Sequence, residues 1–312
     1  MALPRQYDVI ILGGGLAGLT AALQMRQRRP ETTILVADRR AHPVPEAAFK
    51  VGESTGELGA YYVSDILGFR EHVQLRQLTK LGLRMFFSSE GNLDIGRRME
   101  LGPFEHLPVP AYQFDRGRLE NFLGGECLRQ GVHFLDDCRV CGVELGDESH
   151  RVTLLRGGKE LTMEARWLVD GSGRTSILRR KLGLEVEVGH KASAAWFRIQ
   201  DEIDLEDWSS EPVWRQRMLP GLRRFSTNHL MGPGYWVWLI PLASKATSVG
   251  IVIDEEMHSF QGIHRFEDCL EWLAKHEPQC ATAVEERRHL LMDFLTVKHF
   301  AYSSSKVFSP DR

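Results

Sequence analysis

Tyr7-Asp8-Val9-Ile10-Ile11-Leu12-Gly13-Gly14-Gly15-Leu16-Ala17-Gly18 is the stretch on which the fold turns. A short apolar run, Tyr7–Leu12, ends abruptly in glycines and reads as a buried parallel strand. Leu16–Arg28 follows with Leu16, Leu19, Ala22 and Leu23 spaced for one buried helical face, and Pro30 stands just past its end. Thr33–Ala37 is a second β-branched strand, closed by Asp38. The glycines fall as G-x-G-x-x-G between strand and helix, where each has a separate task. Gly13 makes the tight turn, Gly15 lets a pyrophosphate approach the backbone, and Gly18 lets the helix pack on the sheet. Leu16 and Ala17 open the helix, whose first N–H groups are unpaired and point at the phosphates. A carboxylate at Asp38 accepts hydrogen bonds from ribose hydroxyls, and Arg39 beside it can cover the adenine.

The rest of the chain is consistent with an α/β protein carrying an inserted, mainly antiparallel sheet. Ser54–Phe69 reads as helix, with Ser54 as N-cap and Glu57 completing a capping box. Arg116–Arg129 is another helix candidate, with Leu119, Phe122, Leu123 and Leu128 on a stripe. Short strands alternate with turns from Val132 to Val169. Lys191 to Ile253 is strand-rich and aromatic, with Trp196, Phe197, Trp214, Trp236 and Trp238. Arg265–His276 is an amphipathic helix. The pattern assigns 1–80 and 114–185 to a discontinuous Rossmann-like dinucleotide domain, 81–113 and 186–300 to a β-sheet substrate domain, and 301–312 to the start of a return segment.

The bulk numbers set the remaining bounds. With 312 residues, 43% hydrophobic and 26% charged, the chain can bury a large core. A net charge of −3 offers no basic footprint for nucleic acid or an anionic membrane. The apolar run Val9–Leu12 is too short for a signal core or a membrane span. Five cysteines, Cys127, Cys138, Cys141, Cys269 and Cys280, make no disulfide framework, and Cys138-x-x-Cys141 has no second pair to complete a zinc site. None of the 12 histidines falls at metal-ligand spacing, so no metal site is expected. These features point to a reducing cytosol.

A second element bears on which dinucleotide is bound. Trp167-Leu168-Val169-Asp170-Gly171-Ser172-Gly173-Arg174 is an apolar strand running into an Asp-Gly turn. Such a turn can present Asp170 and backbone N–H groups to a dinucleotide held lengthwise, or simply join a strand to a helix. At these residues the chain resembles the flavin-dependent halogenases and the single-component aromatic hydroxylases related to them. Asp115-Arg116-Gly117-Arg118-Leu119 is similar to the segment whose Arg, here Arg116, reaches the flavin dinucleotide in that group. Asp170–Arg174 is similar to its Asp-x-Ser-Gly-Arg element. These elements are shared by both branches and imply FAD.

Two further stretches resemble the halogenase branch. Lys50-Val51-Gly52-Glu53-Ser54 is similar to its Lys-x-Gly-Glu-Ser segment. Tyr235-Trp236-Val237-Trp238-Leu239-Ile240-Pro241 contains Trp-x-Trp-x-Ile-Pro, with Tyr235 where the family usually has Gly. The resemblance implies an enzyme that uses reduced FAD from a separate flavin reductase, O2 and halide to halogenate an electron-rich aromatic substrate, free or tethered to a carrier protein. Hypohalous acid is small and diffusible, so a positioned group must hand it on. Lys50, with Glu53 as charge partner, is the candidate. Trp236, Trp238 and Ile240 share one face of a strand, and in the family such tryptophans wall the flavin from the substrate. The alternatives are an FAD-dependent aromatic hydroxylase and a flavin-binding fragment without activity. In the family the string at Phe308–Arg312 leads into a further strand, a flavin-contacting turn, a halide loop and C-terminal helices, which are expected beyond Arg312; the activity of these residues alone is in doubt.

Overall fold

The structure, a computed structural model, describes residues 4–47 and 50–309, and divides into two units. The first comprises Met1–Glu46, Arg116–Glu187 and Tyr302–Arg312. Its six-stranded sheet runs in the order His133–Leu135, Ile34–Ala37, Gln6–Leu12, Lys159–Asp170, His150–Arg156, Cys138–Glu144. The first four strands are mutually parallel and the last two join antiparallel. Val9 to Leu12 are buried on both faces, as a central parallel strand requires. The helices Leu16–Arg28 and Arg116–Arg129 have the expected bounds and pack on each other. Further along the chain, Ser303–Ser304 pairs antiparallel with Glu185–Val186, and Phe308 stacks on Trp167 at 6.0 Å.

The second unit is Ala47–Asp115 with Val188–Ala301. Its seven-stranded sheet is ordered Leu291–Val297, Ala192–Ile199, Thr247–Asp254, Tyr235–Pro241, Thr227–Gly232, Leu83–Phe87, Met99–Leu101, antiparallel except where Thr227–Gly232 meets Leu83–Phe87. Its two faces carry separate clusters of buried side chains. Tyr235, Val237 and Leu239 point into a core with Phe197, Trp214 and the helices Phe266–His276 and Pro278–Glu285. Trp238 and Ile240 point into the other core with Trp196, and Trp236 packs against it half-buried. Trp236, Trp238 and Ile240 therefore do share a face. Gly250 stands opposite Trp238 because a Cβ there would lie 2.1 Å from the indole.

Two expectations are corrected. Residues 47–80 belong to the second unit: Leu78–Lys80 pairs with Ala111–Gln113, and Leu81 N donates to the Phe225 carbonyl at 2.9 Å. Ser54 is no N-cap. It sits extended in a bridge to Gln113, the helix starts at Glu57 after Gly56, and it widens into a π turn over Tyr62–Ile66. A tertiary strand partner has overridden the local capping signal. Among the cysteines, Cys141 is exposed and the other four are buried, all five as free thiols.

Candidate functional site

In the first unit the glycine turn is shaped by close backbone approaches. Gly13 has φ +115°, and a Cβ on it would lie 2.4 Å from the Gly171 carbonyl oxygen. At Gly18 a Cβ would meet the Gly13 carbonyl oxygen at 1.9 Å. Gly15 differs: apart from its immediate chain neighbours, nothing among the described residues lies within 4 Å of where its Cβ would be. It is the N-cap of the Leu16–Arg28 helix and makes no side-chain cap, and the first turn, with Leu16 and Ala17, carries no acidic residue. Open space over uncapped N–H groups and the positive end of a 13-residue helix suits a pyrophosphate.

Asp38 closes the turn. Its Oδ2 accepts from Gly14 N at 2.6 Å and its Oδ1 from Arg40 N at 2.7 Å. Each oxygen keeps a lone pair for a ribose hydroxyl. Arg39 is exposed beside it. Asp170 ends the neighbouring strand, and its observed bonds shape its own turn: Oδ1 accepts from Ser172 N at 3.1 Å and Oδ2 from Leu178 N at 2.7 Å. Arg116 opens the second helix, ion-paired at 2.7 Å with the buried Glu120. That helix starts beneath the Glu46 carbonyl, which accepts from Gly117 N and Arg118 N; a Cβ on Gly117 would lie 1.8 Å from the Pro45 carbonyl oxygen. The residues present therefore fit an FAD dinucleotide through its pyrophosphate and adenosine half.

The second unit holds Lys50, Trp236 and Trp238. Lys50 is half-buried in the loop after Ala48 and Phe49, which lie outside the described residues. The ion pair formed by Glu53 is with Arg198, at 2.7 Å, instead of the expected one with Lys50. Arg198 also binds Asp293 at 2.5 Å, and all three are buried. Burial outweighs Arg198 and raises the Glu53 pKa. Trp238 Nε1 donates to Ser248 Oγ at 3.3 Å.

A lysine that the sequence did not single out has the most distinctive setting. Lys80 is 8% exposed, and its Nζ donates to Ser54 Oγ at 2.8 Å and to the Thr55 carbonyl at 2.9 Å. Burial lowers its pKa, and Glu57 acts in the opposite sense. His229, on the Thr227–Gly232 strand, is pushed down to about 4 by burial and then by Lys80, so its ring is neutral at ordinary pH. The only hint in the sequence is a lysine inside the apolar run Leu78-Thr79-Lys80-Leu81.

Residues 97–292 match the family model described as tryptophan halogenase, and residues 8–43 match an FAD binding domain. The flavin-dependent halogenase chlA of Dictyostelium discoideum is 25% identical over 98% of this chain and 54% of its own length. A 1H-pyrrole-2-carbonyl-(peptidyl-carrier protein) brominase of Pseudoalteromonas luteoviolacea is 23% identical over 86% of this chain and 60% of its own. The chain thus spans little more than half the length of these relatives. The crystal structure of halogenase PltM with phloroglucinol and FAD superposes with a TM-score of 0.74 at 21% identity, over 96% of this chain and 61% of that one, a likeness of fold. The family match takes in well over half of the sequence, and the chain belongs to the tryptophan halogenase family.

Proposed function

We propose that the chain serves an FAD-dependent halogenation, in which reduced FAD from a separate flavin reductase, O2 and chloride or bromide are used to halogenate an electron-rich aromatic ring, free or tethered to a carrier protein. The observation that carries this reading is the buried Lys80 amine, bonded to Ser54 of the Lys50–Ser54 segment. Reduced FAD, when bound, supplies with O2 the oxidising equivalent that turns halide into hypohalous acid. The protein's residues do the rest. The Gly13–Gly18 turn holds the pyrophosphate, Asp38 the ribose, and Arg39 covers the adenine; Arg116 and the Asp170 turn complete the cofactor contacts. Trp236, half-buried, and Trp238, within the core it packs against, supply a flat apolar wall of the kind that would keep water and the organic ring from an oxidant.

Lys80 takes the role expected of Lys50. Burial disfavours the charged form of this lysine, and its N–H can hydrogen-bond the oxidant beside the ring to be attacked. Two of its hydrogen-bonding directions are fixed by protein, which aims the third. The brominase among the relatives acts, by its name, on a carrier-bound pyrrole, which supports an aromatic and carrier-tethered substrate class.

The test is to supply the chain with FAD, NADH, a flavin reductase and bromide, and to follow phenol, indole and pyrrole probes by mass spectrometry. Halide-dependent product that disappears in Lys80→Met, while flavin reoxidation continues, supports the reading. Oxygenated product without halide would make the protein an aromatic monooxygenase. Loss of product in Lys50→Met with Lys80→Met still active would return the role to Lys50.

A further inference from the structure

The Lys80 amine is the end of a chain of hydrogen bonds. Ser54 Oγ, which accepts from Lys80 Nζ, lies 2.7 Å from Thr227 Oγ1. That hydroxyl is in turn 2.8 Å from Gln113 Nε2 and 3.1 Å from Gln113 Oε1. Thr227 is 2% exposed and Gln113 0%, so water does not substitute for these partners. The four residues come from separate segments: the loop before the Glu57–Tyr61 helix, the paired strands Leu78–Lys80 and Ala111–Gln113, and the strand Thr227–Gly232.

The order of donors in this chain is set by the charge on lysine. An ammonium has only donors, so Ser54 must accept from it and donate its own O–H to Thr227, which donates its own to Gln113 Oε1. A neutral amine has a lone pair and can accept. The same contacts then run backwards, from Gln113 Nε2 to Thr227, to Ser54, to Lys80. The amide at the far end makes both directions possible, because it offers a donor and an acceptor to one hydroxyl. In each state every hydroxyl proton in the chain has an acceptor, which matters where a stranded buried donor is costly.

We propose that Ser54, Thr227 and Gln113 form a positioning relay that fixes the Lys80 amine and reverses its hydrogen-bond direction when the lysine changes charge. This rests on the assignment of Lys80 made above. No proton travels along the relay: the lysine proton leaves through the N–H that no described residue holds, the amine then turns about its Cε–Nζ bond to bring its lone pair to Ser54 while an N–H stays on the Thr55 carbonyl, and the two hydroxyl rotors follow. The charged surroundings are compatible with this role. Glu57 favours the ammonium, burial favours the amine, and the His229 ring is neutral. A His106 ring nitrogen lies 3.4 Å from the Lys80 carbonyl.

The test reads Lys80 directly, by NMR titration of a chain labelled at lysine Cε, with the resonance assigned by its absence in Lys80→Met. Thr227→Val keeps the shape but strands the Ser54 proton whenever Lys80 is charged. It should lower the Lys80 pKa by about one unit, the worth of one buried hydrogen bond, and Thr227→Ser should restore it. Gln113→Glu, an acceptor only, should raise the pKa, and by less when Thr227 is Val. An unmoved pKa in Thr227→Val, or no recovery in Thr227→Ser, overturns the relay. Should Thr227→Val not fold, an unmoved pKa in Gln113→Glu does so. The readout needs no turnover: a relay that behaves as described in a chain whose halogenation ignores Lys80 would leave the relay standing and remove the catalytic assignment.

Discussion

The two units build their chemistry from different materials. In the first, the candidate dinucleotide cradle is made of backbone: a left-handed Gly13, a Gly18 with no room for a side chain, and the uncapped start of a helix. In the second, the candidate groups are charged side chains inside a core, Arg198 between Glu53 and Asp293, and Lys80 among hydroxyls. A backbone site tolerates almost any neighbours but no Cβ. A side-chain site tolerates backbone adjustment but not the loss of a partner. Their responses to mutation should therefore differ in kind.

The largest effect is expected at the buried ion cluster. Arg198→Met leaves two carboxylates buried without their counter-charge and should cost about 3–5 kcal/mol, read as a lower urea midpoint. Replacing Arg198, Glu53 and Asp293 together by apolar residues should recover most of it; no recovery would mean that the cluster does more than neutralise itself. Next comes His229. A histidine in the unfolded chain titrates near 6.5 and the folded His229 only near 4, so below 6.5 the unfolded chain binds more protons. Stability should fall by about 3 kcal/mol as pH drops from 6.5 through 4. His229→Gln should flatten that part of a pH series of unfolding curves.

Gly18→Ala tests the backbone side of the contrast. The 1.9 Å approach to the Gly13 carbonyl leaves no rotamer as an escape, so the turn must open. About 2–3 kcal/mol of stability should go, and FAD affinity should drop about a hundredfold by fluorescence titration. Tight FAD binding by Gly18→Ala would break the comparison. The smallest change is at Asp38→Asn, which retains the shape and weakens charge-assisted acceptance. FAD binding should weaken about tenfold, and the unfolding midpoint should fall by the worth of the one backbone hydrogen bond that an amide NH2 cannot accept, about 1 kcal/mol.

The same contrast explains what can be read from sequence. Leu16–Arg28 and Arg116–Arg129 are legible because helical spacing is local, and the glycine turn because its spacing is a backbone requirement. The Trp236-x-Trp238-x-Ile240 face follows from the two-residue period of a strand. Lys80 escapes because its partners Ser54 and Thr55 lie 26 and 25 residues away, and a lysine in a short strand reads as solvated. Local sequence pairs Glu53 with its neighbour Lys50, whereas its partner Arg198 is 145 residues distant. Ser54 looks like a helix cap because nothing near it in sequence announces Gln113 as its strand partner.

The interleaving of the two units has a consequence for synthesis. The strand Gln6–Leu12 finds one neighbour at Ile34–Ala37 almost as soon as both leave the ribosome, but its other edge is closed only by Lys159–Asp170. Meanwhile residues 47–115 emerge as one part of a unit whose remaining strands begin near residue 188. At about 5–20 residues per second, an apolar strand waits roughly seven to thirty seconds with an open edge. That interval is a standing invitation to mispairing, so a nascent chain of this design gains from a holding chaperone, and heterologous yield should respond more to slower growth and lower temperature than to surface charge.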